Sequence, residues 1–436
     1  MTARRAATRV DTVVVGAGHA GLAVSRLLSE AGRDHVVVER GRVGHSWRTQ
    51  RWDSLRLLTP AWLTRLPGYR HGWPDEDAYP AAADVVACLA RYAALSSAPV
   101  HEQTTVLSVR PGGDRWLVVC DNAEWNARHV VIASGHSTRP VPPAFAARAA
   151  LGVQQLNPLV YRSPSAVAPG RVLVVGASAS GVQIADELAA AGREVTLAVG
   201  RHRRVPRRYR GRDILWWLDR AGQLDRAIEQ MPDPAAARNE PSLQLTGCLG
   251  GRAVDLAALA ERGIRLTGRV LDVDGATVHL AADLPATVAD ADRRMHRLLH
   301  RLDAFAASPE MARLDALAAG SGVDRRDAFE AGIGSAERPP PVPLPARPPG
   351  RLDLRAEGFG AIVWATGFRG DYTYLHVPGL VRGGQLRQHR GATPAPGLFV
   401  IGQRFARSRR SGFIDGARLD AAEIVAAVVG QPLAVG

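Results

Sequence analysis

The chain contains no lysine; all 55 of its Lys/Arg positions are arginine. That absence excludes a Schiff-base lysine, a pyridoxal phosphate anchor and the lysine of a P-loop. Cysteine is nearly as scarce. Cys88, Cys120 and Cys248 stand far apart and form no C-x-x-C. A redox-active dithiol and a disulfide framework are both excluded, and the three read as buried or inert thiols. No apolar run reaches the ~18 residues of a membrane span. The opening MTARRAATRVD has paired arginines, but the apolar stretch behind it belongs to a strand–turn–helix unit that signal cleavage would destroy. The chain is therefore read as cytoplasmic. Acidic residues number 42, leaving a formal net charge of +13. Dispersed arginine suits a solvated surface, and no zinc-finger spacing or RNA-binding aromatic motif accompanies it, so no nucleic-acid partner is expected. What is present in quantity is length and apolar content: 436 residues, 46% hydrophobic, enough for two or three domains with buried cores.

Two stretches share one pattern. TVVVGAGHAGLAVSRLLSEAG (12–32) and VLVVGASASGVQIADELAAAG (172–192) each read as a buried strand, a glycine turn and a helix. In the first, Gly16, Gly18 and Gly21 complete G-x-G-x-x-G. Gly16 permits the tight turn, Gly18 lets backbone approach a pyrophosphate, and Gly21 lets the helix pack against the strand. The helix N-terminus offers free N–H groups to phosphate. A second strand, HVVVE, ends at Glu39, 18 residues after Gly21, where a carboxylate can accept both ribose hydroxyls of an adenosine. In the second stretch Gly176, Gly181 and Gly192 repeat Gly16, Gly21 and Gly32 at a constant offset of 160, while Ser178 replaces the central glycine. The position equivalent to Glu39 is Val199, and GRHRRVPRRYRGR follows. An acid there would repel a 2′-phosphate and an arginine would pair with it. Arg201 is the first choice, with Arg203 and Arg204 as alternates. The first turn thus reads as an FAD site and the second as an NADPH site.

Two dinucleotide folds in this order resemble the two-dinucleotide-domain flavoprotein monooxygenases: flavin-containing monooxygenases, YUCCA enzymes and Baeyer–Villiger relatives (class B). The resemblance covers nearly the whole chain. GRVGHSWRTQRWDSLRLLTP (41–60) matches the segment where Trp47 approaches the flavin ring, and VVIASGHSTRP (130–140) matches the crossover to the second domain. Ala365-Thr366-Gly367 matches the A-T-G of the return crossover, and GLFVIGQ (397–403) the final flavin strand, with Gly402 near the ring. The sequence departs from the family motif before the second turn, where Asn157 stands in place of a histidine when Tyr161 is aligned to the terminal aromatic.

The resulting expectation is an α/β protein with two Rossmann-like, doubly wound domains, the second inserted in the first. The FAD domain covers 1–165 and 345–436, and the NADPH domain with a helical insertion covers 166–344. The proline-rich segment 337–350 reads as the linker back. The apolar spacing of 286–306 predicts a helix, either packed on the NADPH domain or serving as a lid, with His296 and His300 as surface histidines rather than metal ligands. The resemblance implies an NADPH-dependent FAD monooxygenase. It would use a flavin C4a-(hydro)peroxide to oxygenate a small organic substrate at nitrogen, sulfur or a carbonyl carbon, with O₂ as co-substrate. An NADPH oxidase or electron-transfer flavoprotein is the alternative. Residues expected to hold FAD are Gly16, Gly18, His19, Ala20, Gly21, Glu39, Arg40, Trp47, Gly135 and Gly402. Those for NADPH are Gly176, Ser178, Ala179, Ser180, Gly181 and Arg201. No catalytic residue and no metal ligand are assigned, since the cofactor carries the chemistry. Arg51 and Asp53 are read as lining the flavin pocket or forming an ion pair. Of Trp216 and Trp217, either one lines a pocket or both are core. The arginines of 404–410 form a basic loop, solvated or facing an anion.

Overall fold

The structure, a computed structural model, describes residues 7–150, 152–313 and 338–430. The chain divides into two compact units. One contains the residues up to 141, a short excursion over 225–240, and the residues from 367; the other contains 142–224 and 241–366.

The first unit is built on Thr8–Val15, whose β-branched run is hydrogen-bonded on both edges. It pairs in parallel with His35–Val38 on one side and Glu124–Ile132 on the other. Val100–His101 extends one edge, and Leu398–Val400 pairs in parallel with Glu124–Ile132. The other edge is an antiparallel meander of Glu124–Ile132, Trp116–Cys120 and Val106–Pro111. Alternation along the first strand feeds two cores. Val14 packs with Leu22, Leu28, Leu89, Tyr92 and Ile424, from the helices His19–Glu30, Ala82–Leu95 and Ile414–Val428. Val13 and Val15 pack on the opposite face with Trp116, Trp125 and Tyr372.

The second unit repeats the theme with an all-parallel sheet, ordered Arg265–Thr267, Val195–Ala198, Arg171–Val175, Phe359–Trp364, Gln154–Leu156. The chain leaves the first unit at 141 and returns at 367, earlier and later than the 165 and 345 read from sequence. The reason is strand pairing: Gln154–Leu156 and Phe359–Trp364 hydrogen-bond into the second sheet. The two crossovers meet as an antiparallel pair, Arg139 with Arg369 and Pro140 with Phe368. The segment 338–350 stays with the second unit; Arg204 donates to the Pro340 carbonyl, and Arg351–Asp353 joins a hairpin there.

The expected helix spans Leu284–Ala306. Met295, Leu298, Leu299 and Leu302 are buried, whereas His296 and His300 are exposed. Asp292 pairs with Arg204, and Asp303 accepts from Tyr209 and Arg210. This is a helix packed on its own unit. The helical insertion expected within 166–344 also takes in 314–337, which lie outside the described residues. Trp217 is fully buried and donates to the Tyr209 carbonyl. Trp216 is half-buried with Arg212 and Arg220 over its ring. Among the described residues no helix is long and apolar enough to cross a membrane.

In the arginine-rich loop after Leu398–Val400, Arg404 is exposed, whereas Arg407, Arg409 and Arg410 are ion-paired to carboxylates. Arg410 is buried and donates to Asp225 (2.7 and 2.8 Å) and to the fully buried Asp415 (2.8 Å). Arg409 pairs with Glu240 at 2.6 Å, and Arg407 pairs with Asp420 and Glu423. The excursion 225–240 docks on this loop. Ile228 N–H donates to the Arg407 carbonyl, and Ile228, Ala237 and Met231 pack on Phe405.

Two stability outcomes follow from these contacts. A Cβ at Gly181 would lie 1.8 Å from the Gly176 carbonyl oxygen, whereas one at Gly18 meets nothing within 4 Å. Gly181→Ala should therefore lower stability by about 1–3 kcal/mol, and Gly18→Ala by less than about 1 kcal/mol, in thermal or denaturant melts. Asp415→Ala removes the fully buried one of the two carboxylates that Arg410 pairs with and should cost about 1.5–3 kcal/mol, the loss of a hydrogen bond between charged groups. Asp225 is half-exposed, and Asp225→Ala should cost no more than about 1 kcal/mol.

Candidate cofactor sites

The two glycine turns have the same backbone. Gly16 and Gly176 both sit at φ +109°, a left-handed value that a side chain rarely adopts. The residues opening the helices, Gly18 and Ser178, have φ/ψ of −81°/−177° and −82°/−178°. Serine therefore replaces glycine there without backbone strain. Each turn is closed from behind by a crossover strand. Ala133 N–H donates to the Val15 carbonyl and Ala365 N–H to the Val175 carbonyl, both at 2.9 Å. A Cβ at Gly16 would meet the Ala133 oxygen at 2.7 Å, and one at Gly176 the Ala365 oxygen at 2.4 Å. The A-S-G at 133–135 and the A-T-G at 365–367 are thus the same part used twice.

No side chain caps either helix start, and neither first turn carries an acid. The exposed amide N–H groups and the positive end of the helix dipole are left to an anion. The space beside Gly18 is open, as a pyrophosphate requires. These observations fit a dinucleotide at each turn.

In the first unit Glu39 is buried at the end of its strand. Its carboxylate accepts from Ala17 N–H (2.8 Å) and Gly41 N–H (3.0 Å). One lone pair on each oxygen remains for ribose hydroxyls. Arg40 is exposed beside it. Gly44 donates to the Ala17 carbonyl at 3.0 Å, which brings the helical turn His45–Thr49 onto the glycine turn. Trp47 on that turn lies under the Arg51 guanidinium, 5.0 Å from the ring centroid. Gly135 has φ +82° with open space around it, and the next residue, His136, donates from Nδ1 to the Gly402 carbonyl at 2.9 Å. Gly402 packs against Ala20, where a Cβ would stand 3.2 Å from that of Ala20. Every residue expected to hold FAD therefore lies on the glycine turn, on the strand end beside it, or on the loops gathered at that turn. Asp53 is exposed.

Burial dominates the electrostatics of this cluster. It lowers His19 to about 4, helped by the charges of His136 and Arg51. It lowers His136 to about 4 as well, against the Gly402 hydrogen bond and with Arg404 and Arg51 adding to the fall. Arg51 itself is lowered to about 10 by burial. Both imidazoles are neutral at neutral pH, and since a carbonyl can only accept, His136 carries its proton on Nδ1.

In the second unit Ala179 and Gly181 are buried and Ser178 and Ser180 half-buried at the turn. Gln244 Nε2 donates to the Ala177 carbonyl (2.8 Å), and Gln183 Nε2 to the Leu245 carbonyl (2.6 Å). Val199 is fully buried, with its N–H on the Thr267 carbonyl, and Arg201 is exposed just beyond. Arg204 is withdrawn as a phosphate ligand. It is buried, with Nε donating to Asp255 (2.7 Å) and Nη1 to Asp292 (2.8 Å). Asn157 shapes the chain before this turn: its Oδ1 accepts from Leu159 N–H, and Tyr161, buried beside it, donates to Glu187.

Sequence reasoning missed His136, Tyr372 and Gln403 as individual residues. His136 and Gln403 lie within stretches that the family resemblance marks, 130–140 and 397–403, but contacts among 136, 372 and 402–403 are long-range and leave no local periodicity. The thiols match their sequence reading in part. Cys88 and Cys120 are buried, with burial raising both and Cys120 to about 12, while Cys248 is half-buried; no disulfide joins any of the three.

Residues 13–216 match the family described as pyridine nucleotide-disulphide oxidoreductase. An uncharacterized CzcO-like oxidoreductase of Geobacillus kaustophilus (strain HTA426) is 27% identical over 420 residues, 95% of this chain and 97% of that protein. The indole-3-pyruvate monooxygenase YUCCA4 of Oryza sativa subsp. japonica is 29% identical over 196 residues, 40% of this chain and 44% of that protein. Among solved structures, the flavin-containing monooxygenase from Stenotrophomonas maltophilia superposes with a TM-score of 0.65 at 21% identity, covering 97% of this chain and 98% of that one. The chain is an oxidoreductase that shares the fold of the flavin-containing monooxygenases along its length and carries the pyridine nucleotide-disulphide oxidoreductase signature in its first half.

Proposed function

We propose that the protein is an NADPH-dependent FAD monooxygenase, which places one oxygen atom of O₂ on nitrogen, sulfur or a carbonyl carbon of a small organic substrate. The observation that carries this reading is the pair of glycine turns with one backbone and two charge environments. In the first, Glu39 is fixed by the N–H groups of Ala17 and Gly41 and keeps a lone pair on each oxygen for a ribose. In the second, Val199 removes the acid and Arg201 follows at the surface. FAD at the first turn and NADPH at the second are the occupants this asymmetry supports.

Bound FAD supplies the electron transfer and the reaction with O₂. The protein's part is to bind, orient and exclude water. Gly16, Gly18 and the start of His19–Glu30 cradle the pyrophosphate, with His19 and Ala20 on the first helical turn. Glu39 holds the adenosine ribose, and Arg40 flanks it. Trp47, Gly135 and Gly402 wall the ring. Gly176, Ser178, Ala179, Ser180 and Gly181 perform the pyrophosphate task for NADPH, and Arg201 pairs with the 2′-phosphate. Burial raises the thiols of Cys88 and Cys120, which disfavours thiolate chemistry at either.

Arg201→Ala should weaken NADPH binding about tenfold or more, the loss of a charge-assisted hydrogen bond, and leave NADH nearly unchanged. Equal losses for both would overturn the 2′-phosphate assignment. Glu39→Ala should reduce FAD retained on purification. A substrate panel scored by NADPH oxidation, with hydrogen peroxide measured alongside, tests the reaction. Product formed in step with NADPH loss supports oxygenation, and peroxide as the sole product means an oxidase.

A further inference from the structure

Gln403 follows Gly402, whose left-handed φ of +73° turns the chain after the strand Leu398–Val400. The Gln403 Nε2 is closed off from solvent and has no hydrogen-bond partner among the described residues. A buried amide donor left in this state costs about 1–3 kcal/mol, so the fold keeps it for a reason. The other end of the amide is held. Tyr372, buried, donates its hydroxyl to Gln403 Oε1 at 2.9 Å. Burial raises that phenol to about 12, so it remains a donor. Room for the phenol is provided by Gly370, where a Cβ would lie 2.2 Å from the Tyr372 hydroxyl. On the other side His136 fastens the Gly402 carbonyl. Tyr372 and His136 thus fix both the side chain of Gln403 and the backbone before it, and leave one donor unspent beside the first glycine turn.

We propose that Gln403 is a cofactor-contact residue whose Nε2 donates a hydrogen bond to a carbonyl oxygen of the flavin ring, with Tyr372 as its positioning residue. The inference rests on the reading of the first unit as the FAD site. A flavin ring carries two carbonyl oxygens on its pyrimidine edge, and these gain negative charge when the ring is reduced. A donor fixed against one of them stabilises the reduced form more than the oxidised form. Gln403 therefore sets the ease of flavin reduction.

The test uses the FAD-loaded full chain. Gln403→Leu should hold FAD with a shifted visible absorption band. Its reduced-to-oxidised ratio at a given potential should fall about tenfold, which is about 30 mV more negative for a two-electron couple. Tyr372→Phe should shift the potential in the same direction by a smaller amount, because the amide is freed but still present. A Gln403→Leu protein that binds FAD normally, with unchanged spectrum and potential, overturns the proposal. If Gln403→Leu does not fold, Tyr372→Phe decides: a wild-type spectrum and potential in that variant overturn it equally. Failure of the wild-type chain to take up any FAD overturns the FAD-site reading itself, and is distinct from either result.

Discussion

Each half of this protein depends on one close approach: the first turn of a helix pressed against the carbonyl of the glycine that precedes it. At Gly21 a Cβ would stand 1.9 Å from the Gly16 oxygen, and at Gly181 1.8 Å from that of Gly176. A crossover strand pushes from behind, through Ala133 and Ala365. Only glycine lets strand, turn and helix come this near. Their nearness aims the uncapped helix start at one point in space. Glu39, the turn carrying Trp47, and Gly402 are all placed relative to that point.

The duplication separates geometry from chemistry. Backbone angles at Gly16 and Gly176 coincide, and those at Gly18 and Ser178 differ by a degree. What differs is the charge at the end of the second strand. A fixed carboxylate stands in one unit, and a buried valine followed by an exposed arginine in the other, on the same backbone frame.

The exclusive use of arginine shapes the interior as well. A guanidinium can serve two or three acceptors in a plane and stays charged when buried. Arg410 spans Asp225 and Asp415, and Arg204 spans Asp255, Asp292 and the Pro340 carbonyl. These are interior clamps joining segments distant in sequence. A run such as RFARSRR reads as a basic surface patch only until its carboxylate partners, contributed from 225, 240, 415, 420 and 423, are seen around it.

The sequence by itself determined the two turns, the missing acid at Val199, the helix read over 286–306 and the surface position of His296 and His300. Local rules suffice for these: glycine at fixed spacing, a valine run, an apolar stripe every three to four residues. Tertiary structure decided the rest. It carried Gln154–Leu156 and Phe359–Trp364 into the second sheet, since strands are allotted by pairing partners that the strand's own residues do not specify. It buried Arg204 and left Arg201 at the surface, though both stand in one arginine-rich run. And it brought Tyr372, His136 and Gln403 together around Gly402, because those contacts close loops of 31 and 266 residues that no local pattern specifies.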